Sequence, residues 1–213
     1  VCTLGPIIHN PQTLQRFEQR GVKVVGSPRE VPAGATLVVR SHGVAESVLR
    51  GIEKRGIECC DATCPFVRKI HKIVAEESKA GKTVLIAGDA SHPEVQGIIG
   101  HCCGRCFVFK NADELRKILG ETPFGREEPL CVVSQTTFRV NEWENCLEII
   151  KRVYTNASVF DTICNATAIR QSEAAELSRQ CDAMIVIGGK QSSNTAKLFE
   201  LCKKNCAACL VES

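Results

Sequence analysis

Aromatic residues are scarce in this chain. One Trp, one Tyr and eight Phe make up 5% of its 213 residues, and there is a single Met. A core short of large rings must be built from aliphatic side chains, which suits helices packed on small parallel sheets. Long apolar runs are missing as well. No stretch approaches the roughly 18 apolar residues of a membrane-spanning helix. The start, Val1-Cys2-Thr3-Leu4-Gly5, lacks a signal-peptide pattern. Charge of one sign is also lacking: 27 Lys and Arg against 24 Asp and Glu leave a formal net charge of +3, with no basic run. That argues against an extended nucleic-acid surface. The expectation is a soluble, cytoplasmic protein with no membrane or nucleic-acid partner.

Cysteine is the abundant exception, with 14 in the chain. In a short secreted domain that count would mean a disulfide framework. In a longer chain of alternating helix and strand patterns, reduced thiols in a reducing compartment are the better reading. Two cysteines share a context. Asp61-Ala62-Thr63-Cys64-Pro65 and Asp161-Thr162-Ile163-Cys164-Asn165 lie 100 residues apart. Each follows a short β-prone run, and each opens an amphipathic helix, over 66–79 and 166–181. A thiol at a helix N-terminus meets free N–H groups and the positive end of the macrodipole, so its thiolate is favoured. A thiolate serves as nucleophile or metal ligand. The plain alternative, two small buried packing residues, is weakened by the repeated context.

The rest of the chain repeats as well. Gly5 to His9, Gly88 to His92 and Gly188 to Ser192 each span four residues ahead of a helix. His42 and Thr136 stand at equivalent loop positions, and Cys64 and Cys164 close the first two copies. The period predicts an α/β fold of three pseudo-symmetric lobes, small parallel sheets flanked by helices around a central site, over 1–64, 65–161 and 162–213. The first and third lobes are expected to be incomplete. Ligands of such sheets bind beyond the carboxyl ends of the strands, where all these polar motifs fall.

Two equivalent cysteines call for a third from the third lobe. Three thiolates around one point suit an iron–sulfur cluster with one iron open to substrate. The ring of His9, His42, His92, Thr136, Ser192 and Asn194, beside helix N-termini, supplies neutral donors suited to phosphate oxygens. Glu94 is the one carboxylate among these loops, where neighbouring negative charge would raise its proton affinity and fit it as an acid. Each residue alone has an ordinary alternative: a structural His, a helix-start carboxylate, an N-cap cluster at Ser192-Ser193-Asn194. His71 and His101 lie outside the pattern and are read as structural. Cys102-Cys103-Gly104-Arg105-Cys106 and the run from Cys202 to Cys209 contain C-x-x-C. Their separation does not suit a zinc ribbon, and they are read as packing residues.

Ser41-His42-Gly43, Asp61-Ala62-Thr63-Cys64-Pro65, His92-Pro93-Glu94-Val95-Gln96-Gly97, Ser134-Gln135-Thr136-Thr137, Ile163-Cys164-Asn165-Ala166-Thr167 and Ser192-Ser193-Asn194 together resemble the 4-hydroxy-3-methylbut-2-enyl diphosphate reductases. The resemblance runs along the entire chain, in order. It implies three α/β lobes around a [4Fe-4S] cluster held by three cysteines, and an external electron donor such as ferredoxin or flavodoxin. It implies reductive removal of an allylic hydroxyl to give isopentenyl and dimethylallyl diphosphate, the last step of the methylerythritol phosphate route. It makes Cys64 and Cys164 cluster ligands and Glu94 the proton donor. It gives the diphosphate to His9, His42, His92, Ser192, Ser193 and Asn194, and places Thr136 by the substrate hydroxyl.

The family's first cluster cysteine is expected upstream of this sequence, because Cys2 has the wrong distance and context. A late serine contact is expected beyond Ser213. Two other classes fit parts of the pattern: a different three-cysteine cluster enzyme resembling quinolinate synthase, and a non-enzymatic zinc or thiol-rich module. Iron, sulfide and zinc content separates the latter from the reductase.

Overall fold

The same series of elements runs twice and begins a third time. The computed structural model describes residues 1–8, 10–122, 124–125 and 127–212. The first series is β1 (Cys2–Leu4), α1 (Pro11–Gln19), β2 (Lys23–Val25), a 3-10 turn at Pro28–Glu30, β3 (Leu37–Val39), α2 (Glu46–Lys54), β4 (Cys59–Asp61) and α3 (Pro65–Lys79). The second is β5 (Thr83–Ala87), α4 (Pro93–Ile99), β6 (Cys106–Phe109), α5 (Ala112–Glu121), β7 (Leu130–Ser134), α6 (Val140–Val153), β8 (Ala157–Val159) and α7 (Asn165–Gln180). The third is β9 (Ala183–Ile187), α8 (Ser193–Cys202) and β10 (Ala207–Val211). The sheets are ordered β2-β1-β3-β4, β6-β5-β7-β8 and β10-β9, and the strand pairs are parallel.

The repeat is one of register as well as order. The N–H of Gly5 donates to the carbonyl of Val25 at 2.9 Å, that of Gly88 to Phe109 at 2.8 Å and that of Gly188 to Val211 at 2.9 Å. In each case the glycine leaving the first strand is tied to the last residue of its neighbour. Two of these glycines also clear space for the next helix. A Cβ on Gly88 would lie 2.8 Å from Val95, and one on Gly188 would lie 2.5 Å from Thr195.

The middle sheet is covered on both faces, which is why its central strands read as continuous apolar runs. Val84, Ile86, Cys131 and Val133 point to one side, against Ile70 and Val74 of α3 and Val95 and Ile98 of α4. Leu85, Ala87, Leu130 and Val132 point to the other, against Leu115 of α5 and Trp143, Cys146 and Ile150 of α6. The first sheet has one smaller cluster, from Cys2, Leu4, Leu37, Val39 and Ile52. In the third sheet Ile185 and Ile187 of β9 are each 70% exposed. Among the described residues β9 pairs only with β10.

Two details differ from the sequence reading. The strand Cys2–Leu4 was not expected, since three residues carry too little periodicity to be seen. The register also moves one equivalence. Leu4 pairs with Val39 and Ala87 with Ser134, so two residues beyond each strand end lie Ser41 and Thr136. Ser41, rather than His42, is therefore the counterpart of Thr136. β3 ends at Val39, so Arg40 already belongs to the loop that carries Ser41 and His42.

Candidate active site at the carboxyl ends of the strands

Cys64 and Cys164 are the N-cap residues of α3 and α7, and neither uses its side chain to cap its helix. The preceding Asp builds the turn that presents them. Asp61 Oδ1 accepts from the Thr63 N–H at 3.0 Å, and Asp161 Oδ1 from the Ile163 N–H at 3.4 Å. This is the turn geometry that Asp favours, and it gives the D-x-x-C spacing a physical cause. The backbones are then pinned to the neighbouring strand loops. The Cys64 N–H donates to Ser41 O at 3.0 Å and the Cys164 N–H to Thr136 O at 2.8 Å, which confirms the register. Both thiols are free and partly exposed.

Glu94 and Thr136 form a buried polar contact, at 3% and 7% exposure. Glu94 is the second residue of α4, behind Pro93. One carboxylate oxygen accepts from the Thr136 N–H at 2.6 Å, and the other from the Thr136 hydroxyl at 2.8 Å. Burial pushes the Glu94 carboxyl up from its ordinary value, against the pull of both Thr136 bonds and of the Lys197 ammonium. His92 caps α4: its Nδ1 accepts from the Glu94 N–H at 3.1 Å. The His42 ring meets His92 edge-on, with centroids 5.3 Å apart. One set of contacts thus links Cys64, the Ser41-His42 loop, His92, Glu94, Thr136 and Cys164.

The third lobe joins through α8. Ser192 caps this helix, its hydroxyl accepting from the Thr195 N–H at 3.4 Å. The Ser193 hydroxyl lies 3.0 Å from that of Thr137 and accepts from the Gln135 amide at 3.4 Å. Asn194 leaves Oδ1 buried without a hydrogen-bond partner, a group that ordinarily needs one. Three participants were missed by the sequence reading. Gln135, fully buried, also accepts from the Asp89 N–H at 3.3 Å. Lys197 donates to Thr137 O at 2.7 Å, and burial pushes its ammonium down to about 8. Gln171 of α7 bridges to the start of α6, accepting from the Val140 N–H and donating to Phe138 O, both at 3.1 Å. Lys197 stands one helical turn after Ser193, the only signal that put it on the same face.

His9 lies outside the described residues. The cysteines of these two runs make local contacts instead of a site: Cys102 Sγ lies 3.5 Å from Gly104 O, and Cys206 Sγ 3.7 Å from Cys202 O. Burial pushes the Cys106 thiol up to about 12, the opposite of a ready metal ligand. The Cys64 and Cys164 sulfurs are spared from capping and sit at helix N-termini, which suits each of them to metal ligation. Among the described residues no group of three or more His, Cys, Asp or Glu is placed to hold a metal ion. No helix among them is long and apolar enough to cross a membrane.

Fold and site together define an α/β protein of threefold-repeated plan, whose thiols, imidazoles and one buried carboxyl meet where the parallel strands end. The family model described as LytB protein matches residues 1–213, and the chain belongs to that family. A 4-hydroxy-3-methylbut-2-enyl diphosphate reductase of Caldanaerobacter subterraneus subsp. tengcongensis is 43% identical over 206 residues, which cover 96% of this chain and 69% of the relative. A protein of the same name from Geotalea uraniireducens is 44% identical over 203 residues, 94% of this chain and 68% of the relative. The solved structure of (E)-4-hydroxy-3-methyl-but-2-enyl diphosphate reductase, described as the terminal enzyme of the non-mevalonate pathway, superposes with a TM-score of 0.71 at 33% identity, covering 100% of this chain and 75% of that one. The Plasmodium falciparum reductase shares the fold, with a TM-score of 0.91 at 24% identity over 100% of this chain and 67% of that one.

Proposed function

We propose that this chain forms the substrate-binding and proton-donating part of a 4-hydroxy-3-methylbut-2-enyl diphosphate reductase, an iron–sulfur oxidoreductase of isoprenoid biosynthesis. The observation that carries the reading is the set of contacts from Cys64 through His42, His92, Glu94 and Thr136 to Cys164. Named relatives and the family match support it. Cys64 and Cys164 would hold two corners of a [4Fe-4S] cluster. When bound, the cluster supplies the electrons, delivered from an external donor such as ferredoxin or flavodoxin.

The chain's own residues do the rest. His42, His92, Ser192, Ser193 and Asn194 hold the diphosphate, the orphaned Asn194 Oδ1 facing a bound donor such as a hydroxyl or ordered water. His9 belongs to this group by position. Thr136 holds the substrate hydroxyl beside Glu94. Glu94, whose hold on a proton burial strengthens, gives that proton as the allylic C–O bond breaks and the hydroxyl leaves as water. Two electrons and a second proton complete the product. A cytoplasmic setting accords with fourteen free cysteines.

Iron, sulfide and turnover of the full-length enzyme test this. Cys64→Ser and Cys164→Ser should each lose the cluster and reductase activity, and His92→Ala should keep the cluster but bind diphosphate more weakly. Parental iron content and turnover in Cys164→Ser would refute the ligand assignment.

A further inference from the structure

His71 has no part in the chemistry above, yet it touches both arms of the site. It lies on α3, two turns beyond the Cys64 cap, and is 6% exposed. Its ring stacks on His101, with centroids 4.1 Å apart and planes 22° apart. His101 is tied in turn to the loop after His42, its Nε2 lying 3.1 Å from Val44 O. The edge of the His71 imidazole lies flush against two glycines. A Cβ on Gly43 would stand 2.5 Å from His71 Cε1, and one on Gly97 would stand 3.2 Å from His71 Nε2. Gly43 follows His42 directly. Gly97 is one turn from Glu94, on the helix that His92 caps.

The seam is tight throughout. A Cβ on Gly97 would also lie 3.5 Å from His42 O, and one on Gly100 would lie 2.2 Å from the Cβ of Ala45. The Glu46 N–H closes it with a bond to Gly100 O at 3.3 Å. The imidazole therefore wedges in beside the contact of the His42 loop with α4, against Gly43 on one side and Gly97 on the other. His71 Nε2 is buried with no hydrogen-bond partner, so the ring acts there by its shape. Burial first, and the neighbouring His101 second, hold it neutral by lowering its pKa to about 4.

We propose that His71 is a positioning residue for anion binding: its ring is the wedge that sets the distance of the His42 loop from His92. This rests on the reading of His42 and His92 as diphosphate ligands. Simple core packing would give His71 the same burial, so stability alone does not separate the two roles. A double-mutant cycle does, because a residue that acts through His42 has nothing further to act on once His42 is gone.

The cycle is run on the full-length enzyme with inorganic pyrophosphate as the probe, by calorimetric titration. Thermal midpoint and iron content are recorded beside it. His71→Ala and His42→Ala should each weaken pyrophosphate binding by roughly tenfold, and the double variant should lie within about twofold of His42→Ala alone. Additive losses overturn the proposal, as does parental affinity in His71→Ala whatever its midpoint. Parental affinity in His42→Ala would instead overturn the diphosphate reading, and the wedge with it. If His71→Ala fails to fold, His71→Asn takes its place in the cycle, its polar side chain being shorter than the imidazole. Non-additive weakening is again expected, and additive losses or parental affinity again overturn the wedge.

Discussion

Replacing Glu94 with Gln removes a proton and little else. The carboxylate now accepts twice from Thr136, at 2.6 Å from the N–H and 2.8 Å from the hydroxyl. A carboxamide in the same rotamer keeps its oxygen on the N–H. Its NH₂ then faces the Thr136 hydroxyl, which turns to accept. Both contacts survive, so the loop and the diphosphate ligands should hold their places. Turnover should not survive. Loss of a general acid slows an enzyme by about 10²–10⁴-fold, and that fall is expected in single-turnover reduction by the full-length enzyme, with pyrophosphate affinity within about threefold of the parent.

Stability supplies an independent check on Glu94. Burial raises the Glu94 pKa in the folded state, so the folded chain holds this proton more tightly than the unfolded chain. The parent should therefore lose stability as pH rises from about 4.5 through the raised value, at up to about 1.4 kcal/mol per pH unit. The Gln variant lacks this loss, so urea midpoints of the two should diverge with rising pH and then run parallel. Parental turnover in Glu94→Gln would show that the proton comes from elsewhere, and that Glu94 only braces Thr136.

Three further outcomes are expected. Gly43→Ala places a side chain at φ +68 and 2.5 Å from His71 Cε1; backbone strain and overpacking together should cost about 2–4 kcal/mol in urea unfolding, and an unchanged midpoint would refute the tight seam. His71, neutral in the fold with a pKa of about 4, should make the chain lose stability as pH falls from about 6.5 toward 4, by up to about 3 kcal/mol; a His71→Gln variant with the same acid profile would show that other groups carry it. Ile185 and Ile187, both 70% exposed on β9, should make the 213-residue chain self-associate; sedimentation should show Ile185→Lys with Ile187→Lys shifting it toward monomer, and a strictly monomeric parent would refute this.

Much of the plan was legible because the chain states it more than once. The Gly5, Gly88 and Gly188 offsets became a common hydrogen bond, and the two D-x-x-C turns became two helix caps. Strands such as Thr83–Ala87 and Leu130–Ser134 showed as apolar runs because both their faces are covered. What escaped depends on distant partners. Nothing near Gln171 in sequence announces that its amide serves Phe138 and Val140. Lys197 looks like a solvated helix residue until Thr137 is found beside it. Thr136 was placed among the loops, but its pair of hydrogen bonds to Glu94 spans 42 residues and no local pattern encodes it. The one-residue offset between Ser41 and His42 arose because a three-residue strand leaves its own end undefined in sequence.

Each of the two site cysteines stands where the chain leaves one sheet, and the helix it starts packs against the next lobe. The helix after Cys64 covers the middle sheet through Ile70 and Val74. The helix after Cys164 packs against α8, with Ser178 accepting from Asn205 at 2.9 Å. The lobes are therefore interlocked and cannot be treated as interchangeable modules. A cut before either thiol parts it from the sheet whose loop anchors its backbone. A cut after the thiol parts it from the helix that it starts. Recombining lobes from different relatives, or permuting the chain at these joints, would break the sulfur's setting even if every sheet formed, so productive crossover points should fall inside the lobes and away from the seams.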